Sequence, residues 1–240
     1  HGVLDPSFGS GGVVTTSFEA YDVFQGGALE LDPANPLIVR RIVAVGSGGS
    51  GIPFTRSSGN LAKYYENGTL DTACGSGGKV ILFSILLSRV AIQSEDQKII
   101  VTGAVEGIDD YRFYTQRFFP DCTWDPSLGD TETFGNWYSG PSAIMIQPDR
   151  KILVGGASQG SGAAFVRYLF EGPRDSTFGN NLNGTLTTTA FPSAAALLFE
   201  APDKILVATG DGGQVPVLSL AKMKPDGSQI IIKRSPVTTQ

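Results

Sequence analysis

The residues best suited to chemistry are few and widely separated in this sequence. The single histidine, His1, could chelate copper through its amine and imidazole, but an oxidative copper site needs a second histidine. A tag remnant or an arbitrary start of the chain explains His1 more simply. Without an internal histidine, Ser-His-Asp and Cys-His nucleophilic arrangements are implausible. We therefore expect no enzymatic activity, no bound metal and no cofactor.

The two cysteines, Cys74 and Cys122, are too few for a disulfide-framework fold. Neither has a neighbouring His or Cys that would suggest zinc. They occupy nearly corresponding turns at the first two junctions between the repeats described below, so a disulfide between them is geometrically reasonable in an oxidising compartment. The alternative is that each is a small buried apolar residue. We favour the disulfide.

Three further groups resemble binding motifs. Asp109 and Asp110 are paired acids that can bind calcium or a sugar hydroxyl, although a solvated loop tip is the simpler interpretation. Residues 46–51 (GSGGSG) resemble a phosphate loop superficially, but the lysine and the following helix of such a loop are missing. Trp124 and Trp137 are candidates for stacking on glycans at a rim pocket, and core packing is the default for such aromatics.

The elements that must position these residues come from an internal repeat. A short apolar stretch that begins after a turn signal and ends at glycine recurs along the chain, at residues 36–48, 94–104, 147–157 (QPDRKILVGGA) and 201–211. Lys98, Lys151 and Lys204 stand at the same place in three copies and are 53 residues apart. The period therefore indicates a repeat protein with four copies.

Each copy opens with an Asp-containing turn module, at residues 3–12, 70–78, 125–129 and 175–179, and contains four short strands. The first strand follows the module, at residues 13–18, 79–83, 131–134 and 186–191, and the recurring stretch is the third strand. Four strands in a unit of ~50 residues, without helical periodicity, are typical of a propeller blade. We predict an all-β, β-propeller-like array of four four-stranded repeats, either a four-bladed ring or an open stack. The repeats cover residues 3–68, 69–122, 123–172 and 173–227, within a single repeat domain over residues 1–227.

A cation recurs in the fourth strand of each repeat, at Lys63, Arg117, Arg167 and Lys222. These cations can line a central channel and attract an anion, or each can pair with a turn-module aspartate and pack its stem on apolar neighbours. We favour the pairing. The module aspartates are interpreted as turn formers, because no Asp-x-Asp-x-Asp calcium loop occurs.

The segment 228–240 carries one more strand candidate, formed by Ile230, Ile231 and Ile232. A surplus strand at the end of a repeat array can close a ring by pairing in the first repeat, which removes exposed strand edges. It can instead pair with a neighbouring subunit and polymerise the protein. General topology favours closure, and the exchanged form would make this segment an assembly strand.

Composition argues against two classes of partner. The formal net charge is −5 and the Lys and Arg residues are scattered, so the chain would repel the phosphate backbone of nucleic acid. No run approaches the ~20 consecutive apolar residues that a membrane-spanning helix needs. We expect neither nucleic acid binding nor a membrane span.

Three sub-motifs occur in a fixed order: residues 4–12 (LDPSFGSGG), 147–156 (QPDRKILVGG) and 165–168 (FVRY). In this combination the sequence resembles the delta-60 repeat family of secreted and surface-attached proteins, over essentially the whole chain. The resemblance implies a propeller-like β-repeat in an extracellular or cell-surface setting, and it brings no known catalytic residues. Residues 36–41 and 218–222 depart from the pattern, as terminal repeats often do.

In that setting, Asn67 and Asn183 are candidate N-glycosylation sites, since each begins an Asn-Gly-Thr triplet in a predicted turn. We predict a non-enzymatic extracellular structural or adhesive glycoprotein that self-associates into a larger array or filament. The alternative is a lectin-like carbohydrate-binding module that uses aromatic residues of the rim loops.

Overall fold

The computed structural model describes residues 2–19, 21–49, 57–107, 110–134, 139–179, 181–200, 204–210, 218–228 and 230–234. The strands of this part of the chain are β1 (Tyr21–Leu31), β2 (Val39–Gly49), β3 (Ser57–Tyr65), β4 (Lys79–Phe83), β5 (Ile85–Ile92), β6 (Ile99–Glu106), β7 (Tyr111–Phe118), β8 (Trp124–Glu132), β9 (Ser139–Ile146), β10 (Ile152–Ser158), β11 (Gly162–Tyr168), β12 (Thr185–Thr188), β13 (Ala196–Glu200), β14 (Lys204–Gly210), β15 (Leu218–Met223) and β16 (Ile230–Arg234).

These strands form four four-stranded antiparallel sheets, β1 to β4, β5 to β8, β9 to β12 and β13 to β16. In each sheet, strands that follow one another in the chain are also neighbours, and no sheet closes on itself. The predicted all-β, propeller-like architecture of four four-stranded repeats is confirmed. Among the described residues, no helix has the length and hydropathy needed to cross a membrane.

The recurring stretch forms the second strand of its sheet. In the third sheet, β10 pairs with β9 on one edge and with β11 on the other. A Cβ atom added at Gly156 would lie 2.1 Å from the carbonyl oxygen of Gly140, at a shift in the register with β9. Gly46 and Gly103 have the same 2.1 Å contact in their own sheets. The motif glycine is therefore required where the first strand bulges towards the second.

The sheets are offset from the predicted repeats by one strand. The strand after each turn module is predicted to open a repeat, whereas β4 pairs with β3 and completes the first sheet. In the same way, β12 pairs with β11 and completes the third sheet. Each of these sheets takes its outer strand from the beginning of the following repeat. The predicted boundaries after residues 68, 122, 172 and 227 therefore fall inside sheets.

Three predicted segments change their role for this reason. Ile230–Arg234 (β16) is not a surplus strand, because it pairs with β15 as the outer strand of the fourth sheet and not in the first repeat. Residues 13–18, predicted to be a strand, pair with no strand of the described chain. Residues 125–129, predicted to be a turn module, lie within β8.

The chain divides into two compact units, residues 1–106 with 115–126 and residues 107–114 with 127–240. In the first unit, β5 packs across β1, β2 and β3. In the second unit, one core contains Leu153 and Phe165 of the third sheet together with Ile205 and Val207 of the fourth. We call the face with Ile205 and Val207, and its equivalents in the other sheets, the front face. The back face of the third sheet thus packs on the front face of the fourth.

Candidate functional site

Two of the four recurring cations, Arg117 and Arg167, form buried ion pairs with module aspartates as predicted, whereas Lys63 and Lys222 pair with glutamates instead. Arg117 Nε donates a hydrogen bond to Asp125 Oδ2 at 2.8 Å, and Lys98 Nζ lies 3.1 Å from the same oxygen. Arg117 and Asp125 are both buried. The same arrangement recurs in the third sheet with Arg167 at 2.8 Å and Lys151 at 3.1 Å from Asp175. These cations have a structural role, since each faces a fixed carboxylate.

The charge of Asp175 is strongly stabilised in this cluster. Burial alone would raise the pKa of the carboxyl group, but hydrogen bonds from the hydroxyl and amide of Thr177, a hydrogen bond from Lys151 and the charge of Arg167 outweigh burial and lower the pKa to about 2. Asp175 is therefore ionised at neutral pH and is unsuited to act as a general acid.

One further residue of this cluster, at the end of the first strand of each sheet, was not predicted from the sequence. Where the recurring cation, which lies in the third strand of the sheet, is lysine, this residue is glutamate: Glu30 lies 2.6 Å from Lys63, and Glu200 lies 2.6 Å from Lys222. Where the cation is arginine, the residue is glutamine, and Gln93 accepts a hydrogen bond from Arg117 at 3.1 Å. The alternation of Glu and Gln with Lys and Arg is the signal that could have revealed the contact.

A second recurring contact joins three of the turn modules to the turn that follows the third strand of the next sheet, and we call it the repeat dock. The amide of Gly75 donates to the carbonyl oxygen of Asp121 at 3.1 Å, and that of Gly179 donates to Asp226 at 3.1 Å. The amide of Gly9 donates to Asn67 at 2.9 Å. The module glycines have positive φ, which presents the amide to the neighbouring turn.

The dock of Gly75 also carries a covalent link. Cys74 and Cys122 form a disulfide with 4.8 Å between their Cα atoms, and both residues are buried. Lys63 Nζ donates to the carbonyl oxygen of Pro120 at 2.7 Å beside it. The disulfide therefore joins the turn module between β3 and β4 of the first sheet to the turn between β7 and β8 of the second.

Asn67 and Asn183 lie exposed in turns, as predicted for candidate glycosylation sites. Asn67 Oδ1 accepts hydrogen bonds from the amide and the hydroxyl of Thr69, at 3.0 and 2.8 Å. Asp121 makes the same two contacts with Thr123, at 2.9 and 2.6 Å. Turn formation alone thus accounts for the spacing of Asn and Thr in these triplets.

Of the remaining predicted site residues, the structure describes Trp124 and Asp110. Trp124 is 62% exposed at the start of β8, whereas Trp137 lies outside the described residues, as do His1 and Asp109. Asp110 is engaged by Arg112 Nε at 2.8 Å. Within the described chain, no group of three or more His, Cys, Asp and Glu residues could hold a metal ion.

The strongest candidate site is a cavity of about 350 Å³ on the front face of the first sheet, which we call the front cavity. One wall is formed by residues 13–18, through Val14, Thr16 and Phe18. The floor is formed by apolar residues of β1 and β2, among them Phe24, Ile42 and Ala44. The site is mainly apolar and lies entirely within the first unit.

The front cavity also contains a polar corner with one unsatisfied acceptor. Asn60 Nδ2 donates to Asp22 Oδ1 at 2.9 Å, and Tyr64 donates its hydroxyl proton to Thr16 Oγ1 at 2.8 Å. Asn60 is buried, and its Oδ1 atom has no hydrogen-bond partner. Because a buried acceptor without a partner is costly, Oδ1 favours an incoming donor at this corner.

Equivalent residues in the other sheets show that the front cavity is an uncovered sheet face. Ile42, Ala44 and Tyr64 are all partly exposed. Their counterparts in the three later sheets are all buried, at Ile99, Val101, Phe118, Ile152, Val154, Tyr168, Ile205, Val207 and Met223. The front face of the first sheet therefore lacks the cover that the other front faces have.

The fourth sheet shows the opposite asymmetry on its back face. Leu220 is 48% exposed, and Leu198 and Ile231 are also exposed on this face. The counterparts of Leu220 in the first and third sheets, Leu61 and Phe165, are fully buried. Two apolar faces of opposite type are thus uncovered, one on the first sheet and one on the fourth.

Residues 147–178 match a family model described as "Domain of unknown function (DUF5122) beta-propeller". Over these residues, the chain is similar to a β-propeller repeat. The matched segment contains β10, β11 and the module with Asp175, which are the elements that recur in the structure. No curated protein matches the sequence.

Proposed function

We propose that this protein is a non-enzymatic structural or adhesive module of the extracellular space or cell surface, related to delta-60 repeat proteins, and that it self-associates into arrays. The observation that carries the proposal is the pair of uncovered apolar faces, the front of the first sheet and the back of the fourth. Exposed contiguous apolar surface marks sites of protein association. Covering it contributes roughly 25 cal/mol per Å² of apolar area.

Two further features support this proposal. The recurring cations Arg117 and Arg167 form buried ion pairs, so these charged groups have a structural role. The disulfide between Cys74 and Cys122 suits an oxidising compartment outside the cytosol.

A lectin-like function is the second candidate, favoured by the exposed indole of Trp124. Glycan recognition commonly uses an aromatic face, and a largely exposed tryptophan is uncommon on a soluble surface. Asn67 and Asn183 would carry glycans in the extracellular setting, which makes sugar recognition between copies a coherent form of this alternative.

Self-association is tested by placing a charge in the front cavity. Phe24 lines this cavity, lies opposite Gly46 on the same face as Ala44 and is 71% exposed, so Phe24→Lys leaves the fold intact but puts an ammonium group where a partner face must be desolvated. Leu37→Lys is the matched control, because Leu37 is 91% exposed in the turn between β1 and β2 and does not line the cavity.

We expect the molar mass of the wild type, measured by light scattering after size exclusion, to rise with protein concentration. The Leu37→Lys variant should behave identically, and Phe24→Lys should stay monomeric. A wild-type protein that remains monomeric up to millimolar concentration would refute self-association as the function.

A further inference from the structure

Residues 13–18 have the same place relative to a repeat dock as two outer strands of the fold. The dock of Gly75 precedes β4, and the dock of Gly179 precedes β12. Both strands pair with the third strand of their own sheet. The dock of Gly9 precedes residues 13–18 in the same way, but no described sheet pairs with them.

Residues 13–18 are also built like a strand. Exposure alternates along the segment, with Val14, Thr16 and Phe18 turned to the front cavity and the residues between them exposed. The backbones of Val14, Thr15 and Thr16 form no hydrogen bond with another backbone group of the described chain. The segment thus presents unpaired strand edges beside an apolar cavity.

We propose that residues 13–18 and the front cavity together receive the fourth sheet of a second copy of this chain, in a head-to-tail contact. This inference rests on the proposed function and specifies its interface. The back face of the incoming sheet, with Leu198, Leu220 and Ile231, covers the front cavity. The outer edge of β16 of the incoming sheet pairs with residues 13–18, which continues the sheet by strand addition.

The internal packing of the second unit identifies this occupant. There, the back face of the third sheet packs on the front face of the fourth through Leu153, Phe165, Ile205 and Val207. The two faces left uncovered are again one front face and one back face, so a second copy supplies the missing surface of the right type. Asn60 Oδ1, buried without a partner in the front cavity, accepts a hydrogen bond from the incoming sheet.

A contact between a front face and a back face is heterologous, and this property gives a sharp test. Phe24→Lys blocks the front face and keeps the back face, whereas Leu220→Lys does the reverse. Leu220 is nearly half exposed, so its replacement leaves the fourth sheet folded. Each variant alone should be monomeric at concentrations where the wild type assembles. An equimolar mixture should form a 1:1 dimer and nothing larger, because only one contact remains available.

The other outcomes separate this inference from the proposed function. If Leu220→Lys alone still dimerises through its front face, two front faces contact each other and the head-to-tail inference is overturned. If both variants assemble like the wild type, a different surface is responsible, so the inference fails while self-association stands. If the wild type never assembles, the proposed function is refuted, and the inference that rests on it is refuted as well.

Strand pairing is tested separately by hydrogen exchange and by proline. Amides of residues 13–18 should become protected when the wild type assembles and should stay unprotected in Phe24→Lys. Thr15→Pro removes a backbone donor while Val14, Thr16 and Phe18 keep their side chains, and it should weaken assembly at least ~10-fold. Thr15→Ala, the matched control, should change assembly little. Equal assembly of the proline and alanine variants would overturn strand pairing.

Discussion

Reduction of the disulfide between Cys74 and Cys122 should destabilise one unit of the molecule and leave the other unchanged. The two cysteines are 48 residues apart in the sequence and both lie in the first unit. In the chain-entropy model, releasing a loop of that length returns about 14 cal/mol/K to the unfolded chain, which is about 4 kcal/mol at 25 °C.

The native contacts around the disulfide are the reason to expect the full loss of about 4 kcal/mol. The amide of Gly75 still donates to Asp121, and Lys63 still donates to Pro120, so the dock keeps its geometry when the bond is broken. The main effect of reduction is then on the unfolded chain. With a urea m value of ~2 kcal/mol/M, the unfolding midpoint of the first unit should fall by ~2 M.

Hydrogen exchange followed by mass spectrometry in increasing urea measures the two units separately. Peptides from residues 57–106 should lose protection at lower urea after reduction, whereas peptides from residues 139–200 serve as the internal control. The double variant Cys74→Ala/Cys122→Ala should behave like the reduced protein, apart from a small packing loss at two buried sites. A midpoint shift below ~0.5 M in the first unit, or an equal shift in both units, would refute the entropic argument.

Two further predictions concern single side chains. Because the pKa of Asp175 is depressed to about 2 in the fold, its ionised form stabilises the second unit above about pH 4, and this stability is lost as the pH falls towards 2. Asp175→Asn should lower the urea midpoint of the second unit at pH 7, and the midpoint of the variant should fall less between pH 4 and pH 2 than that of the wild type. A variant whose midpoint depends on pH as the wild type's does would contradict this role of Asp175. If the lectin-like function holds, Trp124→Ala should abolish signals that the wild type gives on a glycan array, and a silent wild type counts against that function.

The sequence predicted the repeated elements well because they are locally encoded. A turn signal before an apolar run and a glycine after it define β10 without knowledge of its partners. The 53-residue spacing supports the same prediction, because it shows that the pattern recurs along the chain. The pairing of Arg117 and Arg167 with module aspartates was also predictable, since a cation and an acid recur together in each copy.

The grouping of strands into sheets was not predictable from the period. A period has no intrinsic beginning, so the sequence cannot tell whether β4 opens one sheet or completes another. Strand pairing decides this, and it depends on contacts between residues that are distant in the sequence. For the same reason, Ile230–Arg234 looked like a surplus strand although it completes the fourth sheet.

The front cavity was hidden from the sequence for a different reason. Ile42 and Ala44 have the same apolar character as their buried counterparts Ile99 and Val101, so composition gives no sign that they are uncovered. Exposure of a repeat face depends on which neighbour is present, and only the assembled sheets show it. Asn60 stands out only once its buried oxygen is seen to have no partner.

The borrowing of an outer strand from the following repeat bears on how such a chain can evolve. Duplication of one sequence period adds a whole sheet wherever in the period the break occurs, because the inserted copy completes its predecessor and is completed by its successor. The gene can therefore gain or lose whole repeats without the evolution of a new boundary between sheets. Selection then acts mainly on the residues that distinguish the two ends of the array.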